Sequence, residues 1–139
     1  MKRSPELEDA AVRDVARLMT ASARTAPKTR GIDNIEIIEV DDAPEKDALI
    51  KKMKAIASSE NRRSFERDAQ CIANCRAIVV IGVKSNPAGL NCGFCGHATC
   101  ESLTKALGIC AYNSIDLGIA VCSAADTASR AHADNRVMY

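Results

Sequence analysis

The chain has 139 residues, one domain's length, and its 19 Lys+Arg against 18 Asp+Glu leave a net charge of +1. That balance excludes a bulk basic field for wrapping nucleic acid, and 2 Tyr, 2 Phe and no Trp exclude an aromatic platform for stacking bases or sugars. Against this stand 7 Cys, the anomaly of the composition.

The N-terminus is basic for two residues and then mixed in charge, which is not a secretory signal. The longest apolar run, Ala77 to Ile81 with Val83 after Gly82, is far short of the roughly 20 residues of a membrane span. A cytoplasmic chain without membrane or nucleic-acid partners is expected. In that compartment thiols stay reduced, and clustered cysteines serve metals or redox chemistry.

Ser4-Pro5 predicts a helix start, with proline at the first helical position. Leu7, Ala11, Val15, Leu18 and Ser22 then recur at helical spacing to about Ala23. A polar segment, Arg24 to Gly31, reads as a loop. Ile35, Ile37 and Val40 alternate with Glu36 and Glu39 as in a strand, although Ile38 breaks the alternation. Asp42 and Glu45 suggest a capping box around Pro44. A second helix carries Leu49, Met53 and Ile56 and fades at Ser58-Ser59. A third, from about Ser64 to Cys75, places Phe65, Ala69 and Ile72 on one face.

Ala77 to Val83 is β-branched and bounded by polar residues, which predicts a fully buried strand. A loop at Ser85 to Gly89 leads into the cysteine cluster. A short helix over about 99–107 and a long one over about 114–131 complete the chain. The expected fold class is α+β, a small sheet covered by helices, with a Cys-rich cluster-binding loop.

Cys92, Cys95, Cys100 and Cys110 have the spacing C-x2-C-x4-C-x9-C, with Gly93 and Gly96 freeing the backbone of the first turn. All-thiolate ligation selects zinc or an iron–sulfur cluster. A structural zinc ribbon more often shows two C-x2-C knuckles, and here only the first pair has that form. The spacing therefore favours a [4Fe–4S] cluster, with structural zinc and redox thiols as alternatives. Phe94 is either a shield for the cluster or an ordinary core residue, and His97 reads as an exposed loop histidine. Cys71 and Cys75, four apart on a predicted helix, are expected to face the same way as core residues or spare ligands. Cys122, among small apolar residues, is expected to be packing.

Arg24, Thr25, Pro27 and Lys28, with Arg30, offer charge, hydroxyls and free N–H groups suited to a phosphate. The plainer alternative is a basic turn that neutralises a helix C-terminus. Asn34 offers a polar contact to a ligand at the turn into the strand. Gly118 costs helix stability, and close helix packing is the preferred explanation. The apolar end Val137-Met138-Tyr139 is unusual for a free tail.

In order along the chain stand Arg24-Thr25-Ala26-Pro27-Lys28 with Gly31-Ile32-Asp33-Asn34, Phe65-Glu66-Arg67-Asp68-Ala69, and Gly89-Leu90-Asn91-Cys92-Gly93 through Cys100. Ile115-Asp116-Leu117-Gly118-Ile119-Ala120 and Asp134-Asn135-Arg136 follow. These resemble the successive motifs of a prokaryotic family of uncharacterised ferredoxin-domain proteins. The cysteine stretch is also similar to a small iron–sulfur domain of corrinoid iron–sulfur proteins and of an electron-transport complex subunit. The resemblance implies a [4Fe–4S] cluster on Cys92, Cys95, Cys100 and Cys110. It implies a single ferredoxin-type domain over 1–139, with its cluster segment at 89–112, truncated at its C-terminus relative to family members.

A weaker resemblance is to flavin-dependent nitroreductases, at Ala26-Pro27-Lys28 and at Ile115 to Ala125. It implies a nitroreductase-like fold, a homodimer, and FMN with Arg24, Thr25, Pro27, Lys28 and Asn34 as the binding candidates. This sequence lacks the Arg-rich N-terminal motif that holds flavin phosphate in that group. The expected function is an iron–sulfur electron-transfer protein, in one form a flavin-linked reductase, with a redox partner protein or flavin. The alternatives are a zinc-stabilised interaction module and a thiol-redox sensor. Enzyme status stays open, because no paired acid–base residues stand in a catalytic pattern.

Overall fold

The computed structural model describes residues 3–138; Met1, Lys2 and Tyr139 lie outside the described residues. Helix α1 (Ser4–Thr25) is followed by a single 3-10 turn (Thr29–Gly31) and strand β1 (Ile35–Val40). Helices α2 (Ala43–Ser59) and α3 (Arg63–Ala73) come next, then strand β2 (Ile78–Val83), α4 (Cys100–Lys105) and α5 (Ala111–Arg130). The architecture is α+β, as the sequence implies. β1 and β2 form a two-stranded antiparallel sheet, in a register that sets Ile35 opposite Val83 and Val40 opposite Ile78. The α2–α3 hairpin is the connection between the two strands.

Local chemistry explains the helix ends. Pro5 lies within the first two positions of α1, Glu6 in its first turn and Arg24 in its last, each at the end its charge or missing N–H favours. Asp42 caps α2 by accepting a 2.8 Å hydrogen bond from the Glu45 N–H. α4 ends in a Schellman pattern. The Gly108 N–H reaches the Leu103 carbonyl at 3.0 Å and the Leu107 N–H reaches that of Thr104 at 3.0 Å. The left-handed residue is Leu107, at φ 52°, rather than the glycine beside it.

The core has two parts. Ala23 of α1, Ala120 and Ala124 of α5, and Ile35 of β1 form the first, with Met19, Ile37, Ile81, Val83 and Leu117 packed around them. Small side chains let α1 and α5 approach closely, and Ser22 Oγ donates across the interface to the Ser123 carbonyl at 2.9 Å. Burying Ile35, 1% exposed, stabilises the sheet against this pair by about 1.5–3 kcal/mol. The second part is Met53, Ala69 and Ile72 between α2 and α3, joined by Phe65, Ile78 and Met138. Met138 thus packs on this second core, while Val137 beside it is exposed.

Several expectations are corrected. β2 is not fully buried: Val80 is 43% exposed and lies opposite Ile38, 61% exposed, on the face turned away from α1 and α5, where Ile78 at the strand start packs on the α2–α3 core. Ile38 and Val40 therefore share the outer face with Glu36, and Glu39 shares the inner face with Ile35 and Ile37, so the expected apolar–polar alternation holds only as far as Ile37. α3 stops at Ala73, so Cys75 lies beyond it and does not stack on Cys71. Cys75 Sγ bonds the Ile72 carbonyl at 3.0 Å, and burial pushes its thiol pKa up. Cys122 is exposed rather than packed. Gly118 is exposed too, and a Cβ there would meet nothing within 4 Å, so helix packing does not explain it. α5 begins at Ala111, directly after Cys110, rather than at Ser114.

Candidate metal centre

The segment between β2 and α4, residues 84–99, has neither helix nor strand, and its first part is pinned at two points. Asn113, buried in the first turn of α5, donates from Nδ2 to the Lys84 carbonyl at 3.0 Å. Arg30 Nη1 donates to the Ala88 carbonyl at 2.8 Å. The first cysteine pair sits on a turn closed by the Gly96 N–H to the Gly93 carbonyl at 2.9 Å. Gly93 and Gly96 take φ 71° and 83°, which side chains other than glycine's adopt at a cost.

Thr99 is the N-cap of α4. Its hydroxyl accepts from the Ser102 N–H at 3.1 Å and Ser102 Oγ accepts from the Thr99 N–H at 3.2 Å, a reciprocal capping box. Cys100 is the first residue of that helix. α4 then turns on Leu103, 1% exposed, and delivers Cys110 as the buried N-cap residue of α5. The four cysteines come from a knuckle, the start of one helix and the start of another.

All four line one small pocket that opens to solvent. Asn91, Phe94, His97 and Tyr112 share its wall. Phe94 and Tyr112 meet with ring centroids 5.9 Å apart at 50°, linking the knuckle to α5. The four thiols are free of disulfides. Among the described residues no three His, Cys, Asp or Glu already close on a point that suits one metal ion. The thiols line a pocket and are not drawn together at its centre. The donor set fits an iron–sulfur group in chemistry: four thiolate sources, a glycine-freed turn, and a backbone N–H, that of Asn91, 3.4 Å from Cys100 Sγ.

The basic loop has different partners. Arg24 Nη1 donates to Asp33 Oδ2 and to the Ile35 carbonyl, each at 2.6 Å. Lys28 Nζ donates to the Ala23 carbonyl at 2.8 Å and also to that of Arg24. Thr25 Oγ1 donates back to the Ala21 carbonyl at 2.9 Å. Asn34 Oδ1 accepts from Asn86 Nδ2 at 3.2 Å, on the approach to the cysteine segment. Pro27 lies in the turn between α1 and the 3-10 turn. Lys28 and Thr25 thus satisfy carbonyls of the last turns of α1, while Arg24 ties the end of that helix to Asp33 and β1. None of the five residues lines the cysteine pocket.

Residues of three of the motifs given above take structural roles that the sequence did not assign them. Asp116, 6% exposed, accepts from Thr29 N at 3.0 Å and from Thr29 Oγ1 at 2.9 Å, fastening the 3-10 turn to α5. Asp68, 2% exposed, accepts from Arg67 Nε at 2.9 Å and from Arg136 Nη2 at 3.2 Å. Arg136 Nη1 also donates to Cys71 Sγ at 3.1 Å. Two motifs far apart in sequence thus meet at one carboxylate. The Thr99-x-x-Ser102 pattern was a readable signal for the cap; the distant pairings had none.

Residues 107–139 match a family described as uncharacterized protein containing a ferredoxin domain. An uncharacterized protein of Archaeoglobus fulgidus is 37% identical over 143 aligned residues, which cover 96% of this chain and 77% of the relative. The chain belongs to this ferredoxin-domain family. The family match contains Cys110 and begins after the other three pocket cysteines. A ferredoxin domain points to iron–sulfur redox chemistry and to a redox partner. No solved structure matches the chain. No helix among the described residues is long and apolar enough to cross a membrane.

Proposed function

We propose that this chain is an iron–sulfur electron-transfer protein in which Cys92, Cys95, Cys100 and Cys110 hold one [4Fe–4S] cluster. The observation that carries the reading is that these four cysteines, from three separate local structures, line a single pocket. The family's ferredoxin domain supports it. A bound cluster supplies one-electron transfer at a potential set by its surroundings.

The chain's own residues supply the rest. Gly93 and Gly96 let the knuckle fold tightly, and the capping box fixes the helix that presents Cys100. Cys110, 6% exposed, is the ligand best shielded from water. Phe94, 65% exposed and resting on Tyr112, covers the outer side. Arg24, Thr25, Pro27, Lys28 and Asn34 fix the turn between α1 and β1, and no flavin is required of them. The cluster segment at 89–112 then belongs to a single domain that meets a redox partner at the pocket mouth.

Anaerobic purification tests the proposal. Brown protein with broad absorbance near roughly 400 nm, and iron and acid-labile sulfide in equal amounts, is the expected result. Cys100→Ala should lose the iron. Colourless protein that contains zinc overturns the cluster in favour of a structural module. Metal-free protein whose thiols cycle with oxidant points to the thiol sensor, and yellow fluorescent protein to flavin.

A further inference from the structure

We propose that Asn91 is the positioning residue for Cys100, and so for the cluster's retention and electronic signature; the inference rests on the cluster reading above. Asn91 touches both ends of Cys100. Its main-chain N–H lies 3.4 Å from Cys100 Sγ, and its side-chain Oδ1 accepts from the Cys100 N–H at 2.8 Å.

The two contacts depend on each other. The Cys100 amide is the first of α4 and has no partner inside the helix. Thr99 caps the Ser102 amide, which leaves the Cys100 amide to Asn91. With Oδ1 anchored there, the backbone of residue 91 is held where its own N–H points at sulfur. Asn91 stands at φ 47°, in the left-handed region that asparagine tolerates better than most residues. The residue type, the conformation and the two contacts therefore agree. Asn91 also precedes Cys92, so one residue ties the knuckle to the helix that carries the third cysteine.

Hydrogen bonds that orient a metal's ligands are typically worth 10- to 100-fold in metal affinity, and donors to sulfur help set a cluster's potential. Asn91→Gly keeps the left-handed backbone accessible and removes only the acceptor. Asn91→Asp keeps an acceptor at the same place. Each variant and the parent chain are loaded with iron and sulfide anaerobically. Iron loss to a chelator is then followed by absorbance, and the reduced cluster's electron paramagnetic resonance signal is recorded. Urea midpoints of the iron-free chains report folding.

The expected result is iron loss about 10-fold faster or more for Asn91→Gly, with altered resonance lines, and loss near the parent rate for Asn91→Asp. Parent-like retention and lines in Asn91→Gly overturn the assignment, as does equal weakening in both variants, because the acceptor would then not matter. A parent chain that takes up no iron defeats the cluster reading itself, an outcome seen before any variant is compared.

Discussion

Gly108→Ala forces a methyl group to within 2.5 Å of Leu103 Cδ1 and 3.5 Å of His97 Nε2. The backbone at Gly108 is not left-handed, so alanine is allowed there and the cost is one of packing. Leu103 could relieve the clash by swinging away, but it is 1% exposed and has nowhere to go. Forcing one carbon into a filled site costs about 1–3 kcal/mol. Alanine for glycine returns about 0.4–1 kcal/mol by restricting the unfolded chain. The balance is a loss of about 1–2 kcal/mol. Gly118→Ala is the matched control. Its Cβ meets nothing within 4 Å, and it sits inside α5, so the same change should gain about 0.5–1 kcal/mol. Urea unfolding of the iron-free chains, with unchanged m-values, should move the two midpoints in opposite directions. A Gly108→Ala midpoint at or above the parent's would refute the wedge at Leu103. A lowered Gly118→Ala midpoint would show that another surface packs on α5 there. Because Gly108 leads to Cys110, Gly108→Ala should also reduce iron uptake while Gly118→Ala leaves it unchanged.

Two further outcomes are expected. Leu107→Gly should raise the unfolding free energy by about 1 kcal/mol, and the urea midpoint with it, since Leu107 holds a left-handed conformation at φ 52° while 92% exposed; a loss would mean that its side chain is covered. For Asp68, hydrogen bonding and charge from Arg67, with help from Arg136, hold the carboxyl below its ordinary value despite burial. Its contribution is present above the unfolded value of about 3.9 and is lost as pH falls through the lower folded value. Midpoints measured from pH 7 down to pH 2.5 should fall less steeply for Asp68→Asn than for the parent, and parallel curves would contradict the pairing. Asp33 and Glu36, depressed in the same direction, keep some slope in both chains.

Local patterns carried a good deal of this fold. Spacing located α1, α2 and α3 to within a few residues, because a helix repeats its buried face every three to four positions. The boundaries that slipped did so for readable reasons. α5 begins at Ala111 because Cys110 serves as the residue before its first turn, and α3 stops at Ala73 because Asn74 ends it. The strand pattern misled in a different way. An apolar residue such as Val80 is compatible with either face, and only the count of covering layers tells which one it has.

By itself the sequence determined which residues could carry the chemistry. Four cysteines at chelating spacing, with glycines between them, are a property of the chain and survive any arrangement of its helices. It also determined the amphipathic faces, since periodicity is local. Tertiary structure alone decided which of those residues meet. It brought Cys110 to the pocket of Cys92, Cys95 and Cys100, set Asn91 across both ends of Cys100, and joined Arg136 to Asp68. It also turned Lys28 onto the last carbonyls of α1 and Arg24 onto Asp33 and the Ile35 carbonyl of β1. The physical reason is that a buried donor, acceptor or charge must find a partner, and the partner is fixed by the packing of elements distant in sequence.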